Sequence, residues 1–223
     1  GYLYCRDNGV CRKEYVYMLT CRLSPGTGGN HLWRMRVGDQ ASGYAPTATS
    51  YKPPVLSYMS PDQWPFSDTA GGDTVILTGD QFGPISSGSS SLSGSISAYY
   101  GGWSQFESNL LFETREGTCS VTSAHQVITC IVGVGTGKNH SWFLMVNGQS
   151  SNIYHARSSY SPPILIDFAV YNVSHSSSTA ELPDNVISFS TKGGQFVEII
   201  GRNFGPVLSA DKYNAPISAT AMY

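Results

Sequence analysis

A repeat about the size of one small domain runs through this chain, and the chain does not hold a whole number of copies. YKPP at 51–54 returns as YSPP at 160–163, TGGNHLW at 27–33 returns as TGKNHSW at 136–142, and Cys21 returns as Cys130, all at an offset of 109 residues. GGDTVILTGDQFGP at 71–84 returns as GGQFVEIIGRNFGP at 193–206, at an offset of 122. Repeats of this length are whole small domains, not solenoid turns. The chain therefore divides into a complete unit at 52–163, the back half of a unit at 1–51 and the front half of another at 164–223. The second offset exceeds the first by 13 residues (122 less 109), which places an insertion between Pro163 and Gly193 that includes YNVSHSSSTAELPDN.

Short alternating or apolar runs at 74–78, 96–100, 126–132 and 141–146 are separated by Gly, Ser, Asn and Pro clusters, and helical periodicity is nearly absent. Strands at this spacing predict an all-β chain of antiparallel, immunoglobulin-like sandwiches. Proline fixes φ and bars helix, so each Tyr-x-Pro-Pro element stiffens the passage from one unit into the next. The Ser-rich stretch at 86–95 and the inserted loop are too poor in apolar residues to contribute a core.

Only 13% of residues are charged, the net charge is −2, and no run of Lys or Arg occurs, so the electrostatic footprint of a nucleic-acid binder is missing. No apolar stretch approaches the ~20 residues that cross a bilayer as a helix. The opening GYLYCRDNG carries neither an initiator Met nor a signal sequence, which suggests a mature or internal segment.

Five cysteines are present. Cys119 and Cys130 bracket one segment, and Cys11 and Cys21 bracket the matching segment of the first half. Repetition of the pair predicts a disulfide in each copy, worth roughly 2–3 kcal/mol through a short closed loop, with two buried thiols per copy as the alternative. A disulfide in each copy implies an oxidising compartment. Cys5 has no counterpart in the central unit and stays unassigned.

No constellation for catalysis, cofactor or metal stands out. GVGTGKN at 133–139 resembles a phosphate loop, but Val132 takes the place of its first glycine and Asn139 that of its Ser or Thr. The first copy has Gly29 where Lys138 stands, so a glycine-rich hairpin turn is the better account. His31 and His140 occupy equivalent positions without a Cys, His or Asp cluster around them, and are expected to pack and hydrogen-bond at a strand start. No G-x-S-x-G elbow occurs, and the carboxylates show no acid–base pairing. Asn139 and Asn172 head sequons, Asn172 within the inserted loop where a glycan is readily solvated. The excursion at 101–117 bears Trp103, Phe106, Leu110, Leu111 and Phe112, which either fold onto the sandwich or form a contact surface.

From PPVLSYMSP through the twice-present GG-x4-L/I-x-G-x2-FGP element to SYSPP, the central unit resembles the IPT/TIG domain, an immunoglobulin-like module. The resemblance covers 52–163 end to end, with 1–51 similar to the module's second half and 164–223 to its first. It implies Val75 and Leu77 facing inward, Phe82 and Phe204 as plugs at one pole, and a spacer or binding module rather than an enzyme. An extracellular structural protein is expected, the repeating unit of a fibre or surface filament. A receptor or adhesin stalk binding protein or glycan, and an accessory sandwich of a carbohydrate-active enzyme, are the other readings. Half a unit leaves half a core and a strand edge open. The front half of one chain is therefore expected to be completed by residues 1–51 of the next subunit, or of the next repeat in a longer chain. Such a head-to-tail contact does not close on itself and builds a homopolymer.

Overall fold

The computed structural model describes residues 2–5, 11–14, 18–61, 65–66, 69–85, 95–102, 111–171, 191–194 and 196–206, and among them every regular element is a strand. The first half-copy contributes β1 (Tyr2–Cys5), β2 (Cys11–Glu14), β3 (Arg36–Val37) and β4 (Gln40–Ala41). The central stretch contributes β5 (Val55–Ser60), β6 (Pro65–Phe66), β7 (Thr74–Asp80), β8 (Ile96–Gly101) and β9 (Phe112–Glu113). It continues with β10 (Ser120–Ser123), β11 (Val127–Ile131), β12 (His140–Val146), β13 (Gln149–Ser150) and β14 (Tyr154–Tyr160). Past the second Pro-Pro lie β15 (Ile164–Tyr171) and β16 (Phe196–Arg202).

Two sheets of the central stretch share one hydrophobic core. One has the order β10-β11-β7-β5; the other runs β6-β14-β12-β8-β9, with β13 paired to β12. Alternation decides the buried side. Val75 and Leu77 of β7, Ile128 and Cys130 of β11, Ala98 and Tyr100 of β8, and Trp142, Leu144 and Val146 of β12 all turn into the core. On β5 a bulge between Leu56 and Tyr58 breaks the period, so that Leu56 and Met59, three residues apart, are both buried. Each of these larger side chains contributes about 1.5–3 kcal/mol by leaving water. The inward Val75 and Leu77 and the buried Phe82 agree with the sequence expectation.

The repeated glycine element has a steric basis. A Cβ on Gly79 would collide with the Val55 carbonyl across the sheet and with the Phe82 ring, so only glycine lets strand and plug close together. The requirement at Gly79 is this close approach and not a positive φ. Positive φ appears next to it, at Gln81 (64°) and Gly83 (92°), where the chain turns under the ring.

Cys119 and Cys130 form a disulfide across the β10–β11 hairpin, with Cα atoms 4.1 Å apart. The Cys11–Cys21 pairing does not form: Cys21 is a free, exposed thiol. In the central copy β11 is held between β10 and β7. Among the described residues of the first half-copy no strand takes the place of β7, residues 18–22 form no strand, and β2 pairs with β1, placing Cys11 opposite Cys5.

Candidate functional site

The central unit ends in an aromatic and polar cluster that fixes its pole. Tyr100 stacks on Trp142 at 4.2 Å, and the Tyr160 hydroxyl donates to the Gly133 carbonyl at 2.8 Å while accepting from the Tyr100 hydroxyl at 2.6 Å. Trp142 Nε1–H donates to Ser158 Oγ at 2.8 Å. His140 donates from Nε2 to the Thr136 carbonyl at 3.1 Å, leaving Nδ1 buried without a partner. Burial pushes its pKa down to about 4, against the smaller upward pull of the Thr136 bond. His140 thus packs and hydrogen-bonds at a strand start, as the sequence implied; His31 is exposed and lies at an isolated bridge to Thr49, outside any strand.

The first half-copy reproduces the part of this framework that does not involve Tyr100. Trp33 Nε1–H donates to Thr49 Oγ1 at 2.7 Å, His31 Nε2–H to the Thr27 carbonyl at 3.1 Å, and the Tyr51 hydroxyl to the Ser24 carbonyl at 2.6 Å. The Met35 amide donates to Ser42 Oγ at 2.9 Å, as the Leu144 amide does to Ser151 Oγ at 2.9 Å. Asn30 and Asn139 turn at φ of 58° and 57°. The glycine-rich segment bends in both copies but is not the hairpin turn that the sequence suggested: in the central copy it joins β11 and β12, which belong to different sheets.

Burial is what differs. Trp142 is 0% exposed and Trp33 is 44% exposed. Leu19, Leu23, Met35 and Val37 are exposed where Ile128, Val132, Leu144 and Val146 are buried. These side chains would form the core face of the half-unit, and it stands open.

The segment beyond Pro163 repeats the front half as closely. β15 pairs antiparallel with β16, Leu165 opposite Gly201 with a bulge before Asp167, just as Leu56 lies opposite Gly79 with a bulge before Tyr58. A Cβ on Gly201 would strike the Ile164 carbonyl and the Phe204 ring. Leu165 is 63% exposed against 1% for Leu56, and Phe204 43% against 1% for Phe82. The sequence made Phe204 a plug; here its ring has the glycine beneath it and, among the described residues, no opposing sheet. Val197, Ile199 and Ile200 are exposed as well.

Two joints connect these faces to the central sheets at opposite ends of β12. At one, Asn147 Nδ2–H donates to Thr27 Oγ1 at 2.6 Å, Gln149 Nε2–H donates to the Tyr51 carbonyl at 3.0 Å, and Thr27 packs on Gly83. At the other, the Tyr160 amide donates to the Gly137 carbonyl at 2.9 Å, and Asn203 Nδ2–H reaches the Pro162 carbonyl at 3.2 Å. A strand of seven residues separates them by roughly 20 Å.

Of the remaining candidate residues, Asn139 is exposed at its turn. Phe112 belongs to the core rather than to a contact loop: it is 2% exposed on β9 and packs against Tyr100, His140 and Tyr160. Leu111, just ahead of it, is half-buried. Asn172, Trp103 and Phe106 lie outside the described residues. Among the described residues no group of three or more His, Cys, Asp or Glu is placed to hold a metal ion. Among the described residues no helix is long and apolar enough to cross a membrane, a statement that leaves β-barrels aside. No family model and no curated protein matches the chain.

Proposed function

We propose that this chain is a non-enzymatic, extracellular structural protein built from IPT/TIG-like immunoglobulin sandwiches, the repeating unit of a head-to-tail fibre. One observation carries the reading. Side chains buried in the central unit recur, with part of their hydrogen-bond framework, on two flanking faces that are exposed and complementary in content. One face supplies the back half of a unit and the other the front half. Residues 1–51 of one subunit complete residues 164–223 of another, and because the joints lie at opposite ends of β12 the contact propagates rather than closing. Completing half a core buries on the order of 2,000 Å² or more, the area class of permanent assemblies. The Cys119–Cys130 disulfide supports an oxidising, extracellular setting. The exposed Asn139 and the sequon at Asn172 suit N-linked glycans on the outside of such a fibre.

The test is the state of the native material. Electron microscopy and sedimentation should find filaments whose axial repeat is about two sandwiches, and Trp33→Arg should abolish them. A monodisperse monomer in which the two faces pair within one chain overturns the reading. The same faces would also close in a covalent tandem array, and the intact mass under reducing, denaturing conditions separates that case from a polymer of short chains.

A further inference from the structure

Resting on the fibre reading, we propose that the edge of β16 facing away from β15 is a strand-docking site, and that its occupant is residues 18–22 of a second copy of this chain. The strand docks antiparallel with Leu19 opposite Ile199. Three observations converge on this pairing. Strand β7 lies between β5 and β11, whereas its counterpart β16, with the same register against the first strand and the same obligatory glycine, pairs among the described residues with β15 alone. Residues 18–22 match β11 at the repeat offset of 109, yet they are exposed and outside any strand. And the β7–β11 ladder sets Leu77 opposite Ile128, Thr78 opposite Val127, Ile76 opposite Thr129 and Val75 opposite Cys130.

Transposed by the two offsets, the ladder places Met18 opposite Ile200, Thr20 opposite Glu198, and Cys21 opposite Val197. Alternation then sends Leu19, Cys21, Val197 and Ile199 into one core, as Ile128, Cys130, Val75 and Leu77 are in the central unit. A slip of the docking strand by one residue would turn Leu19 and Cys21 away from the face that carries Val197 and Ile199. The donor strand comes from another copy because residues 27 and 51 of the same chain are tied to the Asn147 end of β12, while β16 is tied to the Pro162 end.

Disulfide trapping tests the register directly. In the β7–β11 ladder Gly79 N–H bonds the Gln126 carbonyl and Val132 N–H bonds the Asp73 carbonyl, so Ile76 and Thr129 form a non-hydrogen-bonded pair. Cα atoms in such pairs lie about 4.5 Å apart, within disulfide range. A chain carrying Thr20→Cys mixed with a chain carrying Glu198→Cys should shift under oxidation to a covalent dimer, and peptide mapping should join positions 20 and 198. Thr20→Cys mixed with Ile200→Cys should give little dimer. Wild-type protein, free of any folding defect in the variants, should gain amide-exchange protection at 18–22 and 196–202 on assembly. Preferential trapping of the 20–200 pair, or filaments that form without trapping the 20–198 pair and without protection at these segments, overturns the docking register while leaving the fibre reading standing. Trapping within a single chain overturns the second-copy assignment. Absence of any assembly removes both.

Discussion

Trp142 and Trp33 occupy matching positions of the repeat, each shortly after a glycine-rich segment and each donating its indole N–H to a hydroxyl sixteen residues ahead, although Trp142 lies in β12 and Trp33 in no strand. One is sealed and the other half open. Leu56 and Leu165, and Phe82 and Phe204, differ in the same way. The comparison separates two contributions that a finished domain normally merges. Turn geometry, positive-φ asparagines and side-chain-to-backbone bonds are satisfied within a few tens of residues, so each half keeps them. Burial needs the facing sheet, and most of the stabilisation of a β fold comes from that burial.

The sharpest way to break this comparison is to truncate its two tryptophans. Trp142→Ala should cost about 3–5 kcal/mol in denaturant unfolding of the isolated subunit. Trp33→Ala should change that unfolding by only about 0.5 kcal/mol, yet prevent assembly by sedimentation. Equal destabilisation by the two would mean that the Trp33 face is already covered in the single subunit.

Acid sharpens it next. Above pH 6.5 His140 is neutral in both folded and unfolded chains; as pH falls toward 4 the unfolded chain takes up a proton that the buried imidazole refuses. Stability should therefore fall across that window, by about 3 kcal/mol from this group. His140→Gln should flatten this part of the pH profile, and an unchanged profile would show that the site admits the charged ring.

The cysteines follow. Replacing Cys119 and Cys130 by Ser should lower stability by about 2–3 kcal/mol. Alkylating Cys21 should leave the stability of the isolated subunit unchanged, and the thiol should become protected on assembly. Rapid labelling of Cys21 inside intact filaments would place residues 18–22 outside the interface. A local effect is expected at the joint: Gln149→Ala removes the donor to the Tyr51 carbonyl and should cost about 1 kcal/mol, read as faster amide exchange at 27–51 with 127–146 unaffected.

Much of the central fold was legible because its signals are local. Alternation in 74–78, 96–100, 126–132 and 141–146 located β7, β8, β11 and β12, and the glycine and asparagine punctuation located the turns. The β5 bulge was not legible, since the pattern at 55–60 fits neither face until the partner strand is present. Phe112 was left undecided for a related reason: its apolar neighbours marked it as either core or contact, and only pairing with β8 decided for the core. The repeat also misled in one respect. It predicted a Cys11–Cys21 bond by copying Cys119–Cys130, although the hairpin that brings such a pair together depends on a third strand which the described residues of the first half-copy do not contain.

By itself the sequence determined the unit, its repetition, its strands and the chemistry of the turns, because backbone conformation and side-chain alternation are set by near neighbours. Only the tertiary structure decided which copy of each apolar face is covered and which is open. It also decided which cysteine is left free and which edge of β16 has no partner strand among the described residues. These outcomes depend on contacts between segments about a hundred residues apart, and a one-dimensional pattern that repeats identically in two places cannot say which of the two has found its complement.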